Sequence, residues 1–174
     1  MLFPMTARTL VLMRHAKAEP PGELTDFARQ LTGRGRADAG AAGAWLAAEG
    51  LRPGLVLCSS ATRTRQTWHC VAVALGQADP EAPAPEVRYE DGLYAGGRTE
   101  VIDLLRAVPD SIGTVLVVGH NPTVSDVSIL LADGATSLRE GLSTSGLAVH
   151  RAEGSWSATE PGSMPLVTTH TARG

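Results

Sequence analysis

The chain has 174 residues, 43% apolar and 19% charged, with 15 Lys and Arg against 18 Asp and Glu for a formal net charge of −3. That length and apolar content suit one aliphatic core, so a single domain over residues 1–174 is expected. Aromatic residues make up only 4%, and the balance is acidic. The chain therefore has neither a base-stacking platform nor the basic surface a nucleic acid requires, and no nucleic-acid partner is expected.

Pro4, Arg8 and Arg14 interrupt the N-terminal apolar residues before a secretory core is long enough, and no stretch approaches the roughly 20 apolar residues of a membrane span. Cys58 and Cys70 are too few for a zinc knuckle and lie outside Cys-x-x-Cys spacing. A cytoplasmic protein with idle thiols and no membrane association is the expectation. With no exposed apolar stripe or heptad run, a monomer is expected too.

Taken in chain order, short apolar runs alternate with segments of helical period, the pattern of a layered α/β fold. Residues 8–13 (Arg-Thr-Leu-Val-Leu-Met) form the first predicted strand. Thr32 is a good N-cap for a helix carrying Ala37, Ala41, Ala44, Trp45 and Ala48, stopped by Gly50. Residues 54–58 form a second strand, and a helix follows from Thr62 through Val71 to Leu75, with Gly76 behind it. Residues 77–85, rich in Ala, Asp and Pro, read as a surface loop. Val101, Ile102 and Leu105 mark a helix ended by Pro109, residues 114–118 a third strong strand, and Pro122 the first turn of a helix carrying Val124, Val127, Leu130 and Leu131. Residues 146–150 and 155–159, separated by Glu153-Gly154, read as a hairpin adding antiparallel strands. A short extended piece near Leu166 and Val167 and a loose tail complete the chain.

In open α/β sheets ligands bind just past the carboxyl ends of the strands. The first strand here runs into Arg14-His15, the third into Gly119-His120-Asn121-Pro122, and the second, through Ser59-Ser60-Ala61-Thr62, into Arg63-Thr64-Arg65-Gln66-Thr67. If these strands are parallel neighbours, two histidines and at least two arginines meet at one edge. Guanidinium forks match phosphate oxygens, so the arrangement suits a phosphate dianion. Positive neighbours disfavour protonation of His15, and a neutral imidazole beside bound phosphate is a nucleophile. Arg63 and Arg65 cannot both serve the pocket from a regular helix; Arg63, nearer the strand end, is assigned to it and Arg65 to solvent. A lone histidine at a strand end is more often a loop residue than a catalyst, and it is the recurrence after two apolar strands that singles out His15 and His120. His69, His150 and His170 lack that placement and read as structural or solvated. Lys17 and residues 19–25 flank the nucleophile where substrate could touch them.

Arg14-His15-Ala16-Lys17-Ala18, Arg63-Thr64-Arg65-Gln66-Thr67 and Val118-Gly119-His120-Asn121-Pro122 resemble the histidine phosphatase superfamily. Arg29-Gln30-Leu31-Thr32-Gly33-Arg34-Gly35 is similar to a stretch of its SixA-type phosphohistidine phosphatase branch. The resemblance runs from about Thr9 to at least Leu131. It implies a three-layer α/β/α sandwich with a mostly parallel central sheet, as in phosphoglycerate mutases. It implies further that His15 accepts the phosphoryl group, that Arg14, Arg63 and His120 bind its oxygens, and that no metal or cofactor takes part. The implied substrate is a phosphorylated protein carrying phosphohistidine, or else a small phosphate ester.

Mutase-like and many phosphomonoesterase members of the superfamily carry a glutamate that protonates the leaving oxygen, whereas this chain reads Glu90-Asp91-Gly92-Leu93-Tyr94-Ala95, with alanine near that place. A phosphorylated imidazole protonated on its other nitrogen can leave as neutral histidine, so the departure favours a nitrogen–phosphorus bond. Glu90, Asp91 and Asp126 are the carboxylates that could still serve as acid. The runner-up reading is a small-molecule phosphomonoesterase, for instance for a sugar phosphate. A mutase would need a closed pocket for two phosphates, which the short chain has few insertions to build. A non-catalytic phosphate-binding module would have no need of His15, and a metal site of His15, His120 and Asp126 would be repelled by the arginines. Residues 141–146 do not make a Gly-x-Ser-x-Gly elbow, nor Gly33-Arg34-Gly35 a dinucleotide loop.

Overall fold

The computed structural model describes residues 6–133 and 141–174; Pro4 lies outside them. Its elements are β1 (Ala7–Arg14), α1 (Gly33–Ala48), β2 (Leu55–Ser59), α2 (Thr62–Ala78), β3 (Glu86–Glu90), α3 (Gly92–Ala95), α4 (Arg98–Arg106), β4 (Thr114–Gly119), α5 (Thr123–Leu131), β5 (Gly146–Glu153) and β6 (Leu166–Thr171). The strands form one sheet in the order β3-β2-β4-β1-β5-β6. β3, β2, β4 and β1 are parallel, and β5 and β6 join antiparallel at the far side. The strand ends carrying Arg14, Ser59 and Gly119 are thus neighbours.

The continuous apolar runs arise because both sheet faces are covered. Along β1, Leu10 and Leu12 belong to a cluster with Leu105 of α4 and Val127 and Leu131 of α5, while Val11 and Met13 belong to one with Ala42 and Leu46 of α1 and Val71 of α2. Successive strand side chains alternate faces, so this division defines helix, sheet and helix layers. The expected α/β/α sandwich is present. α1 and α2 pack closely because Gly43 has no side chain: a Cβ there would lie 2.5 Å from the Val71 carbonyl oxygen. Among the described residues, no helix is long and apolar enough to cross a membrane.

Three sequence expectations need correction. α2 does not stop before Gly76 but continues to Ala78, so the loop begins at Asp79. The Leu75 carbonyl accepts from the Asp79 N–H at 3.2 Å and from Arg52 Nη2 at 2.7 Å, bonds that offset the modest helix cost of glycine. Residues 155–159 do not form the second strand of a hairpin: Trp156–Ala158 is a 3-10 turn, and β5 pairs with β1 and β6 instead. Burial of Trp156, which is 1% exposed, overrides the alternating pattern. Its indole Nε1 donates to the Ile112 carbonyl at 2.7 Å, and its backbone N–H donates to the Asp110 carboxylate at 3.1 Å. Nor is the tail loose. β6 extends to Thr171, His170 stacks on Trp45 at 4.5 Å, Ala172 is buried, and the Gly174 N–H donates to the buried Asp38 carboxylate at 2.9 Å.

Candidate active site

β1 delivers the nucleophile candidate. Arg14 is opposite Gly119 in the β1–β4 register, and the His15 N–H continues that ladder by donating to the Gly119 carbonyl at 3.0 Å. His15 is buried, and its Nδ1 lies 2.7 Å from the Ala16 carbonyl. A carbonyl only accepts, so Nδ1 carries the proton and Nε2 keeps its lone pair. Thr67 explains part of the α2 motif: its Oγ1 donates to the Arg63 carbonyl at 2.7 Å and accepts from the Ala16 N–H at 3.1 Å, tying the loop that follows His15 to α2. Gln66 accepts from the Leu31 N–H at 2.8 Å, which joins this motif to the stretch around Arg29.

His120 follows β4, with its ring centroid 5.3 Å from that of His15. Its Nε2 lies 2.8 Å from Ser59 Oγ, which also accepts from the Ala61 N–H at 3.3 Å. Among the described residues the Ser59 hydroxyl has no other acceptor for its proton, so it donates to Nε2 and the ring proton is on Nδ1, which is buried and has no protein partner among those residues. Arg14 donates from Nη1 to the Leu142 carbonyl at 3.2 Å, while its Nε is buried without a partner among the described residues. Leu142 is held by Asn121 Nδ2, which donates to its carbonyl at 2.7 Å, and by Ser125 Oγ, which accepts from its N–H at 2.9 Å.

Arg63, from the first turn of α2, donates from Nη1 to the Asp26 backbone carbonyl at 2.8 Å and from Nη2 to Asp26 Oδ2 at 3.2 Å. Its Nε is also buried and, among the described residues, without a partner. Arg65 faces away as expected, donating to the Ser60 carbonyl and lying over the exposed Tyr89 ring. Of the five buried side-chain polar atoms without partners among the described residues, three belong to Arg14, Arg63 and His120. Buried donors normally have acceptors, so these three N–H groups define a place for an oxyanion beside His15.

Both site histidines are neutral near pH 7. His15 is lowered to about 4, first by burial, with the Ala16 carbonyl opposing and Arg63, Arg14 and Arg29 adding to the drop. His120 is lowered to about 3, again first by burial, then by Arg63 and His15. The positive neighbours contribute as the sequence suggests, but burial leads.

The sequence reading missed Ser59 and Thr67 as supports, and it missed Asp26 and Tyr94. Asp26 opens a 3-10 turn, Asp26–Ala28, and its carboxylate accepts from Arg63, from the Tyr94 hydroxyl at 2.9 Å and from Arg29 at 3.1 Å. The Arg29 motif was the available signal, but it named no partner. Among the described residues, Asp26 is the one carboxylate bonded to any of the four nominated side chains, and it is ionised, held at about 2 first by the Tyr94 hydroxyl. Asp91 accepts from Ser60 at the start of α3, Glu90 ends β3, and Asp126 is exposed on α5. Ala95 closes α3.

An α/β/α sandwich with neutral histidines and, among the described residues, arginine Nε donors without partners at the carboxyl ends of parallel strands defines a phosphatase of the histidine-nucleophile class. The family model of the histidine phosphatase superfamily (branch 1) matches residues 10–93, and, with the 33% identity over 98% of the chain given below, the chain belongs to that superfamily. An uncharacterized protein of Mycobacterium tuberculosis is 42% identical over 168 residues, covering 92% of this chain and all of that one. Among solved structures, the proposed phosphohistidine phosphatase SixA of Nakamurella multipartitia is 33% identical over 98% of this chain and 99% of its own, with a TM-score of 0.84. The protein histidine phosphatase SixA complexed with tungstate shares the fold at 24% identity and a TM-score of 0.78, covering 94% of this chain and 96% of its own.

Proposed function

We propose that this chain is a single-domain, cytoplasmic, monomeric phosphatase that removes phosphoryl groups from phosphohistidine in proteins through a phosphohistidine intermediate on His15. The observation that carries this reading is that Arg14 Nε, Arg63 Nε and His120 Nδ1 are buried without partners among the described residues, on side chains close enough to His15 to act on its charge or pack against its ring, while the His15 Nε2 lone pair is free. The Nε2 lone pair attacks phosphorus while the substrate's P–N bond breaks and its electron pair returns to the leaving imidazole. That ring, protonated on its other nitrogen, departs as neutral histidine. Water then attacks the phosphorus on His15, breaking the P–Nε2 bond and giving inorganic phosphate, a neutral His15 and a proton. The arginine and histidine donors neutralise charge on the phosphoryl oxygens throughout.

No step requires an acid on the enzyme, which fits the state of Asp26. An ionised carboxylate cannot protonate a departing alkoxide, whereas an imidazole leaves without such help. The similarity to the Nakamurella protein supports the same substrate class.

The test is a side-by-side comparison of kcat/KM for a phosphohistidine peptide against p-nitrophenyl phosphate and a panel of sugar phosphates, with an alkaline quench to trap labelled phosphate. Preference for the phosphohistidine peptide and alkali-stable label on His15 are expected. His15→Ala should lose the label and at least about a thousandfold in kcat, the scale for removing a nucleophile. Clear preference for the esters would replace the substrate assignment, and an active, labelled His15→Ala would remove His15 from its role.

A further inference from the structure

Arg63 and Asp26 are joined by two bonds whose pattern is informative. Nη1 donates to the Asp26 backbone carbonyl and Nη2 to its carboxylate, so Asp26 takes the end-on edge of the guanidinium. The covalent geometry of that group leaves a second fork, formed by the Nε–H and the other Nη2 hydrogen. Nε is buried and has no partner among the described residues, so this fork remains available to an oxyanion.

We propose that Asp26 is the positioning residue for Arg63: it anchors the end-on edge so that the Nε–Nη2 fork faces the phosphoryl oxygens, and Tyr94 holds the carboxylate that does so. The inference rests on the phosphate-site reading above but not on the choice of substrate. The Arg63 side chain is 7% exposed and that of Asp26 is 52% exposed. A buried guanidinium needs a fixed partner to keep its plane, while an exposed carboxylate remains hydrated and loses little by supplying one. The turn that carries Asp26 is itself braced. Arg29 donates from Nη1 to Asp26 Oδ1 and from Nε to the Glu19 carbonyl at 2.9 Å, and the Glu19 N–H donates to the Gln30 carbonyl at 2.8 Å. On the other side the Tyr94 ring packs edge-on against Phe27 at 5.0 Å and against His120 at 5.7 Å. The anchor therefore reaches both Arg63 and the wall beside His120.

Another use of the same contact would be competition, with Asp26 as an internal anion that substrate phosphate must displace. The two roles predict opposite effects on oxyanion affinity. Tungstate binding, measured by titration calorimetry, separates them without reference to any substrate. Asp26→Ala is expected to weaken tungstate binding by about tenfold or more, the scale of a lost charge-assisted hydrogen bond. Asp26→Asn, whose amide oxygen can still accept from Arg63, should lie between, and Tyr94→Phe should weaken binding by a smaller factor.

The decisive measurement repeats Asp26→Ala in an Arg63→Lys background, which keeps the positive charge but has no end-on edge to anchor. There the loss should fall below about twofold, as expected for residues acting through one interaction. A similar loss in both backgrounds would assign Asp26 a general structural role. Unchanged or tighter binding in the single variant would establish competition or no role, and either result overturns the proposal. If the ester panel wins while this coupling appears, the substrate reading fails and the positioning role stands. If tungstate does not bind the unmodified protein, the phosphate site fails and takes this inference with it.

Discussion

Neutral His15 is a consequence of burial before it is one of neighbouring charge, and that order has a measurable effect. The folded state holds His15 at about 4, His120 at about 3 and the wholly buried His150 below its usual value, all led by burial. Between the ordinary histidine value near 6.5 and pH 4 the unfolded chain therefore binds more protons than the folded one, and stability falls as pH falls through that window. Carbon-13 NMR of labelled histidines should show the ring signals of His15 and His120 nearly static from pH 8 to 5. Urea midpoints should decline over the same acid range. A His15 midpoint near 6.5 would contradict the buried neutral state. What was legible at this scale were the four residues that follow apolar strands, because strand ends are marked by an abrupt change from apolar to polar. Asp26 was not, because its carboxylate reaches Arg63 from a 3-10 turn whose place depends on Tyr94 and Arg29, far apart in sequence.

Among the elements, the strands and helix starts were readable where one local signal fixes them. Thr32 accepts from the Gly35 N–H at 2.9 Å, as an N-cap should, and Gly50 adopts φ +70° after α1. Residues 155–159 were misread because alternation was outweighed by a buried indole and a carboxylate 45 or more residues away, contacts that no local pattern records. The glycine of the Arg29–Gly35 motif shows how an element can serve the site. A Cβ on Gly35 would lie 2.1 Å from the Lys17 carbonyl oxygen, two residues past His15. Gly35→Ala must therefore push the start of α1 away from the nucleophile loop. We expect a loss of about 1–3 kcal/mol in urea unfolding, the cost of overpacking, together with a fall in kcat/KM. Gly33→Ala, where a Cβ meets nothing within 4 Å, is the control and should leave both near their starting values. Equal behaviour of the two variants would show that close approach at Gly35 does not govern the loop.

For the molecule as a whole, the sheet places chemistry and closure in different regions. The nominated side chains lie at the carboxyl ends of β1, β2 and β4, whereas the C-terminal residues close onto α1 at Asp38. Asp38 is 2% exposed; its carboxylate accepts from the Gly174 N–H, lies 3.5 Å from Arg173 Nη1 and lies 3.9 Å from Arg34. Polar tail residues gave no sign of this, since the partner that orders them is a single acid inside a small-residue helix. Removing residues 172–174 takes away the Gly174 and Arg173 contacts and the buried Ala172, and should cost about 1–3 kcal/mol by loss of hydrogen bonds and apolar burial. Asp38→Ala should cost a similar amount by leaving the same donors without their acceptor. Because the two changes remove one shared interaction, their combination should cost clearly less than the sum, which a double-mutant cycle in urea reads directly. Turnover of the truncated protein at 25 °C should remain close to that of the full chain, since no bond of the tail reaches Arg14, His15, Arg63 or His120 among the described residues. Strict additivity would show that the tail and Asp38 stabilise the fold independently, and a large loss of turnover in a still-folded truncation would show that closure at α1 is transmitted to the site.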